Sequence, residues 1–317
     1  EGESSSRSNY DDLVYTLLPA IRERLAPDDA TYTGLLIDAP RLPLPLMHSM
    51  ISADLADSSR LKLGLATASR IILHRDAAAP SCLTALLDAS SSLDDTIRSN
   101  TITTIVTEIL ASPSLPPSIS ASIYRHALDQ SSKALASTTE AEATSLLQLH
   151  LSLCVLQPDL VWNLFTSYAA ATPACQQAII KESTPLVMRF THPPLASTLA
   201  SIILRAMREL PSRPHTVHII STFLGAIGAK TAPTPHLIEG TLALCMQLHD
   251  ATWTMPIISH LDANTVEALL PFIVAAPSES RKAQLVTIMH AAPPPIAPAR
   301  LLYALHLLNV GSGGGGG

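Results

Sequence analysis

Residues 250–309 read DATWTMPIISHLDANTVEALLPFIVAAPSESRKAQLVTIMHAAPPPIAPARLLYALHLLN. Short apolar runs at helical spacing alternate with prolines, and no run carries a recognisable catalytic group. Asp262 or Asn264 can cap a helix starting near Thr265, with Val266, Leu269, Leu270 and Ile273 on its inner face. Pro271 would bend or shorten that helix, and Pro277 ends it. Leu285, Ile288 and Met289 repeat the pattern, Pro293–Pro295 stop it, and Leu301, Leu302, Leu305 and Leu308 resume it. Helices this short must be layers of a stack.

The same grammar extends toward the N-terminus. Asp11 and Asp12 are expected to open a helix through Val14, Leu17, Leu18 and Ile21. Ser92 is expected to cap another, with Asp94 and Asp95 in its first turn and Ile97, Ile102, Ile105 and Ile109 buried. Thr139 and Glu142 form a capping box before a leucine-rich run. Separate apolar runs follow at 174–182, 185–190, 194–210, 214–228 and 235–249. Helix pairs recur about every forty residues, the period of HEAT and armadillo repeats. Ordering about forty residues costs on the order of 60 kcal/mol, which needs roughly 2,400 Å² of apolar burial. Two short helices cannot hide that much between themselves. The expected fold is all-α, a HEAT/armadillo-like α-solenoid.

Composition agrees. Aromatic residues make up only 4% of the 317-residue chain, so leucine, isoleucine, valine and alanine must build the core. Alternating β-branched runs bounded by glycine turns are almost absent. The net charge is −6, and the basic residues are scattered apart from Arg281-Lys282. A nucleic-acid groove needs a concentrated positive field, so direct RNA contact is not indicated. No apolar run is long enough to span a membrane. Cys82, Cys154, Cys175 and Cys245 are widely spaced in apolar runs, as expected of small hydrophobes in a reducing compartment.

The candidates for chemistry resolve into packing. His215 and His218 have i,i+3 spacing but lack a third ligand nearby, so no metal is expected. His150 and Cys154 lie in a leucine-rich helix and read as a core pair. Gly225 and Gly228 read as close helix contacts, and Trp162 and Trp253 as core anchors. No nucleophile elbow, phosphate loop or dinucleotide fingerprint occurs. Neither catalytic residues nor a cofactor is expected.

Residues 250–309 resemble the C-terminal domain of the symplekin family, the scaffold of pre-mRNA 3′-end processing. The likeness lies in Asp250, Met255-Pro256-Ile257, Leu261, Glu267, Leu270-Pro271 and the run Leu301-Leu302-Tyr303-Ala304-Leu305-His306. A looser likeness covers Tyr10 to Leu25, Leu36 to Pro40, Leu83 to Leu87 and Val106 to Ile109. Two basic positions of the family pattern are Thr252 and Phe272 here.

The resemblance implies a nuclear, non-catalytic scaffold of the cleavage and polyadenylation complex. Such a scaffold would hold the metallo-β-lactamase endonuclease and its inactive homologue, with Asp250, Glu267, Arg281, Lys282, Tyr303 and His306 as candidate contacts. A transport or coat adaptor binding protein cargo shares the repeat grammar and stays open, as does an α-helical enzyme of another kind. The domain organisation expected is a disordered polar segment at 1–9, a helical-repeat domain at 10–309, and an engineered Gly/Ser linker at 310–317. On this reading the repeat domain stops short of its parent's C-terminal end, and the uncapped last repeat would self-associate or depend on a partner fused after the linker.

Overall fold

A computed structural model describes residues 2–210 and 213–312, with side chains described from residue 9 to residue 308 outside the 211–212 gap. Among the described residues there is no strand; the chain is all-α. It divides into two compact units, one of residues 1–153 with 172–175, the other of residues 154–171 with 176–317.

The first unit comprises α1 (Gly2–Arg24), α2 (Thr31–Asp38), α3 (Leu44–Ala56), α4 (Leu61–His74), α5 (Ala79–Ala89), α6 (Asp95–Thr104), α7 (Pro117–Ala134) and α8 (Glu140–Leu153). A π-helical turn, Ile105–Ile109, extends α6. Hairpin partners such as α7 and α8 pack together, and α3 on α5, α2 on α4 and α6 on α8 stack two positions apart. Contact with the next helix and the next but one is the packing grammar of an α-solenoid repeat.

The second unit holds α9 (Leu160–Ser167), α10 (Pro173–Arg189) from Gln176 onward, α11 (Pro193–Glu209), α12 (Pro214–Lys230), α13 (Pro235–Leu248), α14 (Ala263–Ala275), α15 (Ser278–His290) and α16 (Pro298–Ser312). A 3₁₀ segment, Thr252–His260, stands where the next repeat's first helix would be. It packs on α12, while α11 packs on α13 and α14 on α16. Pro193 and Pro235 open equivalent helices about forty positions apart, the expected repeat length.

Prolines act here mainly as helix starts. Pro117, Pro173, Pro193, Pro214, Pro235 and Pro298 are the first residues of their helices. An amide at that position has no intrahelical acceptor, so a residue without one loses nothing there. Pro19, Pro185 and Pro271 instead lie inside helices that continue past them. The separate runs expected at 174–182 and 185–190 are therefore one helix. Buried Ile179, Leu186 and Val187 hold its two halves in one packing surface despite the lost hydrogen bond.

Several local expectations need correction. The segment expected to be disordered at 1–9 is helical from Gly2, so Asp11 and Asp12 sit well inside α1. Asp11 accepts from Arg41 Nη2 at 3.1 Å, and Tyr10 donates its hydroxyl to the Arg41 carbonyl at 2.9 Å. The cap of α6 is Asp94, whose Oδ1 accepts from the Thr96 and Ile97 amides at 2.8 and 3.1 Å. Ser92 stands two residues earlier and accepts from the Asp94 amide. Thr139 Oγ1 accepts from the Glu142 amide at 3.3 Å, the expected half of a capping box. At the other end α16 runs through Ser312, and 313–317 of the expected linker lie outside the described residues.

Arginines close helix C-termini in both units. Arg60 donates to the Arg22 and Leu25 carbonyls, both at 2.7 Å, at the end of α1. Arg75 donates to the Leu36 and Ile37 carbonyls at 2.8 and 3.2 Å, at the end of α2. These are the positions where a cation satisfies orphan carbonyls and meets the negative end of the helix dipole.

Candidate partner-binding face

The C-terminal stretch folds around a core of Cys245, Ile258, Leu261, Val266, Leu269, Leu270, Ile273, Ile288, Ile296 and Leu301. Asp262 starts α14: its Oδ1 accepts from the Thr265 amide and its Oδ2 from the Thr265 hydroxyl, both at 2.9 Å. That amide hydrogen bond is the largest influence holding the Asp262 carboxyl below its ordinary value. Val266, Leu269, Leu270 and Ile273 are fully buried, as their spacing requires. Burial of each such side chain is worth about 1.5–3 kcal/mol.

The six candidate contacts separate into two kinds. Asp250 is engaged locally, accepting from the Thr252 amide at 2.9 Å and the Thr252 hydroxyl at 2.6 Å. Thr252 thus completes the turn that starts the 3₁₀ segment, which gives that position a structural role without a basic side chain. Glu267 on α14 is clamped by Arg300, with Oε1 2.5 Å from Nε and Oε2 3.0 Å from Nη2; Asn264 Oδ1 accepts from Arg300 Nη2 at 2.7 Å. The Glu267 hydrogen bond is what raises the Arg300 guanidinium further above its ordinary value. Arg281 donates to the Val274 carbonyl at 3.1 Å and closes the end of α14. Lys282, Tyr303 and His306 are exposed, Lys282 on α15 and the other two on α16.

Around Tyr303 the surface is apolar. Leu302 is 68% exposed, Tyr303 65% and Leu307 53%, while Leu301 on the opposite side of α16 is buried. Met289 and Val286 turn outward from α15 in the same way. Leu302 and Met289 were expected in the buried stripes, and the structure places both in solvent. The signal was present in the sequence: Leu301, Leu302, Leu305, Leu307 and Leu308 are too many leucines for one inner face of α16. Beside α15, a shallow hollow of about 280 Å³ is lined by Met255, Pro256, Ile258, Thr287, His290 and Ala291, among others.

Other sequence candidates are resolved by their neighbours. Phe272 packs against the His249 ring with centroids 5.4 Å apart. His249 itself has φ 53°, the left-handed conformation that ends α13. Gly228 makes the expected close contact, and a Cβ there would meet the Pro256 carbonyl oxygen at 2.5 Å; Gly225 faces open space. Trp253 is a core anchor, but Trp162 is only half-buried, under the Arg205 guanidinium at 4.2 Å from the ring centroid. His150 and Cys154 are both fully buried. His215 Nδ1 lies 3.5 Å from Gln176 Nε2, and the His218 ring tilts against Tyr168. Among the described residues no three His, Cys, Asp or Glu side chains converge as a metal-ligand set, and no helix is long and apolar enough to cross a membrane.

The four cysteines are buried thiols. Burial pushes Cys82 and Cys154 up to about 12, and Cys175 and Cys245 up to about 11. Thiols so held are poor nucleophiles. No family model matches the chain, and no solved structure matches it at a significant level.

Proposed function

We propose that this chain is a non-catalytic scaffold subunit of the mRNA cleavage and polyadenylation machinery, acting in the nucleus. The outward surface of α16 would dock the metallo-β-lactamase endonuclease and its inactive homologue. The observation that carries this reading is the strip Leu302, Tyr303 and Leu307, exposed on a helix whose other side is anchored in a core. Exposed apolar surface next to polar residues is a common mark of a protein interface. The strip lies within the stretch whose sequence resembles the symplekin family, which is what names the partners.

The engagement of the arginines favours protein over RNA as the partner. Arg22, Arg60, Arg98 and Arg205 are bonded to groups of the chain itself, to Asp54, to backbone carbonyls, to Gln148 and to Glu209 respectively. A diffuse set of internally paired cations does not make the continuous positive track that phosphate binding needs.

Reconstitution tests the proposal. The chain mixed with the endonuclease and its homologue is expected to elute as one complex in size-exclusion chromatography. Elution of the chain apart from both subunits at micromolar concentration would overturn it.

A further inference from the structure

The C-terminal ends of α10 and α12 and the N-terminal ends of α11 and α13 enclose a cavity of about 370 Å³ in the second unit. Val187, Phe190, Leu199, Ile227 and Leu237 line it, and all five are buried. The hydroxyls of Thr231 and Thr234 are turned to their own backbone: Thr231 Oγ1 donates to the Ile227 carbonyl at 3.1 Å, and Thr234 Oγ1 accepts from the Leu237 amide at 3.3 Å. One ionisable side chain belongs to the described lining, Lys230, which is exposed at the end of α12. The lining holds no carboxylate, and among the described residues the Lys230 ammonium has no ion-pair partner.

A hollow with an apolar floor, and with exposed Thr191 and a single unpaired cation at its edge, is complementary to an apolar group that carries a negative charge beside it. Interfaces concentrate their energy in apolar anchors seated in such pockets, and charges at the rim set orientation and discriminate partners. The volume lies near the lower end of the ~300–1,000 Å³ of small-ligand sites, a size suited to side chains rather than to a large cofactor. We propose that this cavity takes the apolar side chain of a partner polypeptide whose neighbouring Asp or Glu pairs with Lys230. The assignment rests on reading the chain as a protein-binding scaffold, and it adds a second docking point with a defined recognition rule.

The test uses the intact chain with methyl-labelled isoleucine and leucine and three seven-residue peptides. One carries Glu-Phe at its centre, the second Lys-Phe and the third Glu-Ala. The Glu-Phe peptide is expected to shift the methyl signals of Ile227, Leu199 and Leu237, with the Lys-Phe and Glu-Ala peptides at least tenfold weaker. Lys230→Glu is expected to reverse the preference between Glu-Phe and Lys-Phe. Ala196→Phe, which fills the cavity, and Thr191→Trp at its exposed edge are each expected to block the response; the second guards against misfolding of the first.

Equal affinity for Glu-Phe and Lys-Phe peptides, or shifts confined to methyls outside the cavity, would overturn the assignment. So would saturation of these methyls by octanoate with no response to any peptide, which would mark a small-acid site. None of these results bears on capture of the endonuclease pair by α16, so the two readings fail separately.

Discussion

Arg22 on α1 donates from Nε to Oδ1 of Asp54 on α3 at 2.6 Å, and the Asp54 side chain is completely shielded from solvent. Burial is the largest influence on this carboxyl and raises it above its ordinary range, against the hydrogen bond and charge of Arg22 and the charge of Arg60. The folded chain therefore holds this proton to higher pH than the unfolded chain. The contribution of Asp54 to stability improves as pH falls through its folded value toward the unfolded value of about 4. Arg22→Met leaves the carboxylate without its hydrogen-bonded partner and is expected to destabilise the chain by about 3 kcal/mol at pH 7. Asp54→Asn, which removes the charge, is expected to lose less. Urea unfolding at pH 7 and pH 5 checks both: the Arg22→Met deficit must shrink at the lower pH.

Gly228 tests the close packing of α12 on the 3₁₀ segment. Its carbonyl accepts from His260 Nε2 at 2.8 Å, and a Cβ would lie 2.5 Å from a backbone oxygen that cannot swing away. Gly228→Ala is expected to cost about 2–3 kcal/mol despite the better helix propensity of alanine. Gly225→Ala, three residues earlier and facing open space, is expected to stabilise by about 0.5–1 kcal/mol. Thermal unfolding of the two variants gives opposite signs if the packing is as described.

The acid-side stability of α14 depends on Asp262. Its folded value is depressed by the Thr265 hydrogen bonds, so its contribution is present above the unfolded value of about 3.9 and is lost as pH falls through the folded one. Asp262→Asn is expected to keep the cap and flatten that loss, whereas Asp262→Ala loses the cap at every pH. Melting temperatures measured between pH 2 and pH 7 distinguish the two.

The buried cysteines are expected to be silent toward a thiol reagent in the native chain and to react in full after denaturation. Rapid labelling of Cys82 or Cys154 under native conditions would contradict their burial.

The fold class was legible because proline spacing and helical periodicity are local properties. Val266, Leu269, Leu270 and Ile273 can be assigned to a core from their intervals alone. The direction of each surplus apolar residue was not legible. Leu301 and Leu302 are neighbours in sequence, and only the position of α14 decides which one is buried. Asp250 and Glu267 illustrate a second limit. Both are acids that the sequence offered as candidate contacts, yet Thr252 occupies one through a local turn and Arg300 the other across 33 residues. The Lys230 cavity draws on four helices, so no single segment announces it. The Arg22–Asp54 pair likewise joins helices 32 residues apart.

On the proposed function, docking of partner protein falls on the outward strip of α16. It is tested most directly by the affinity of the endonuclease pair for the intact chain against its Leu302→Asp/Tyr303→Asp variant. Both side chains are exposed, so the variant is expected to melt within about 2 °C of the parent, as for surface substitutions. Affinity is expected to fall at least about 30-fold, the loss of a hot spot worth about 2 kcal/mol. An unchanged affinity in a variant that melts like the parent would rule out docking on this strip.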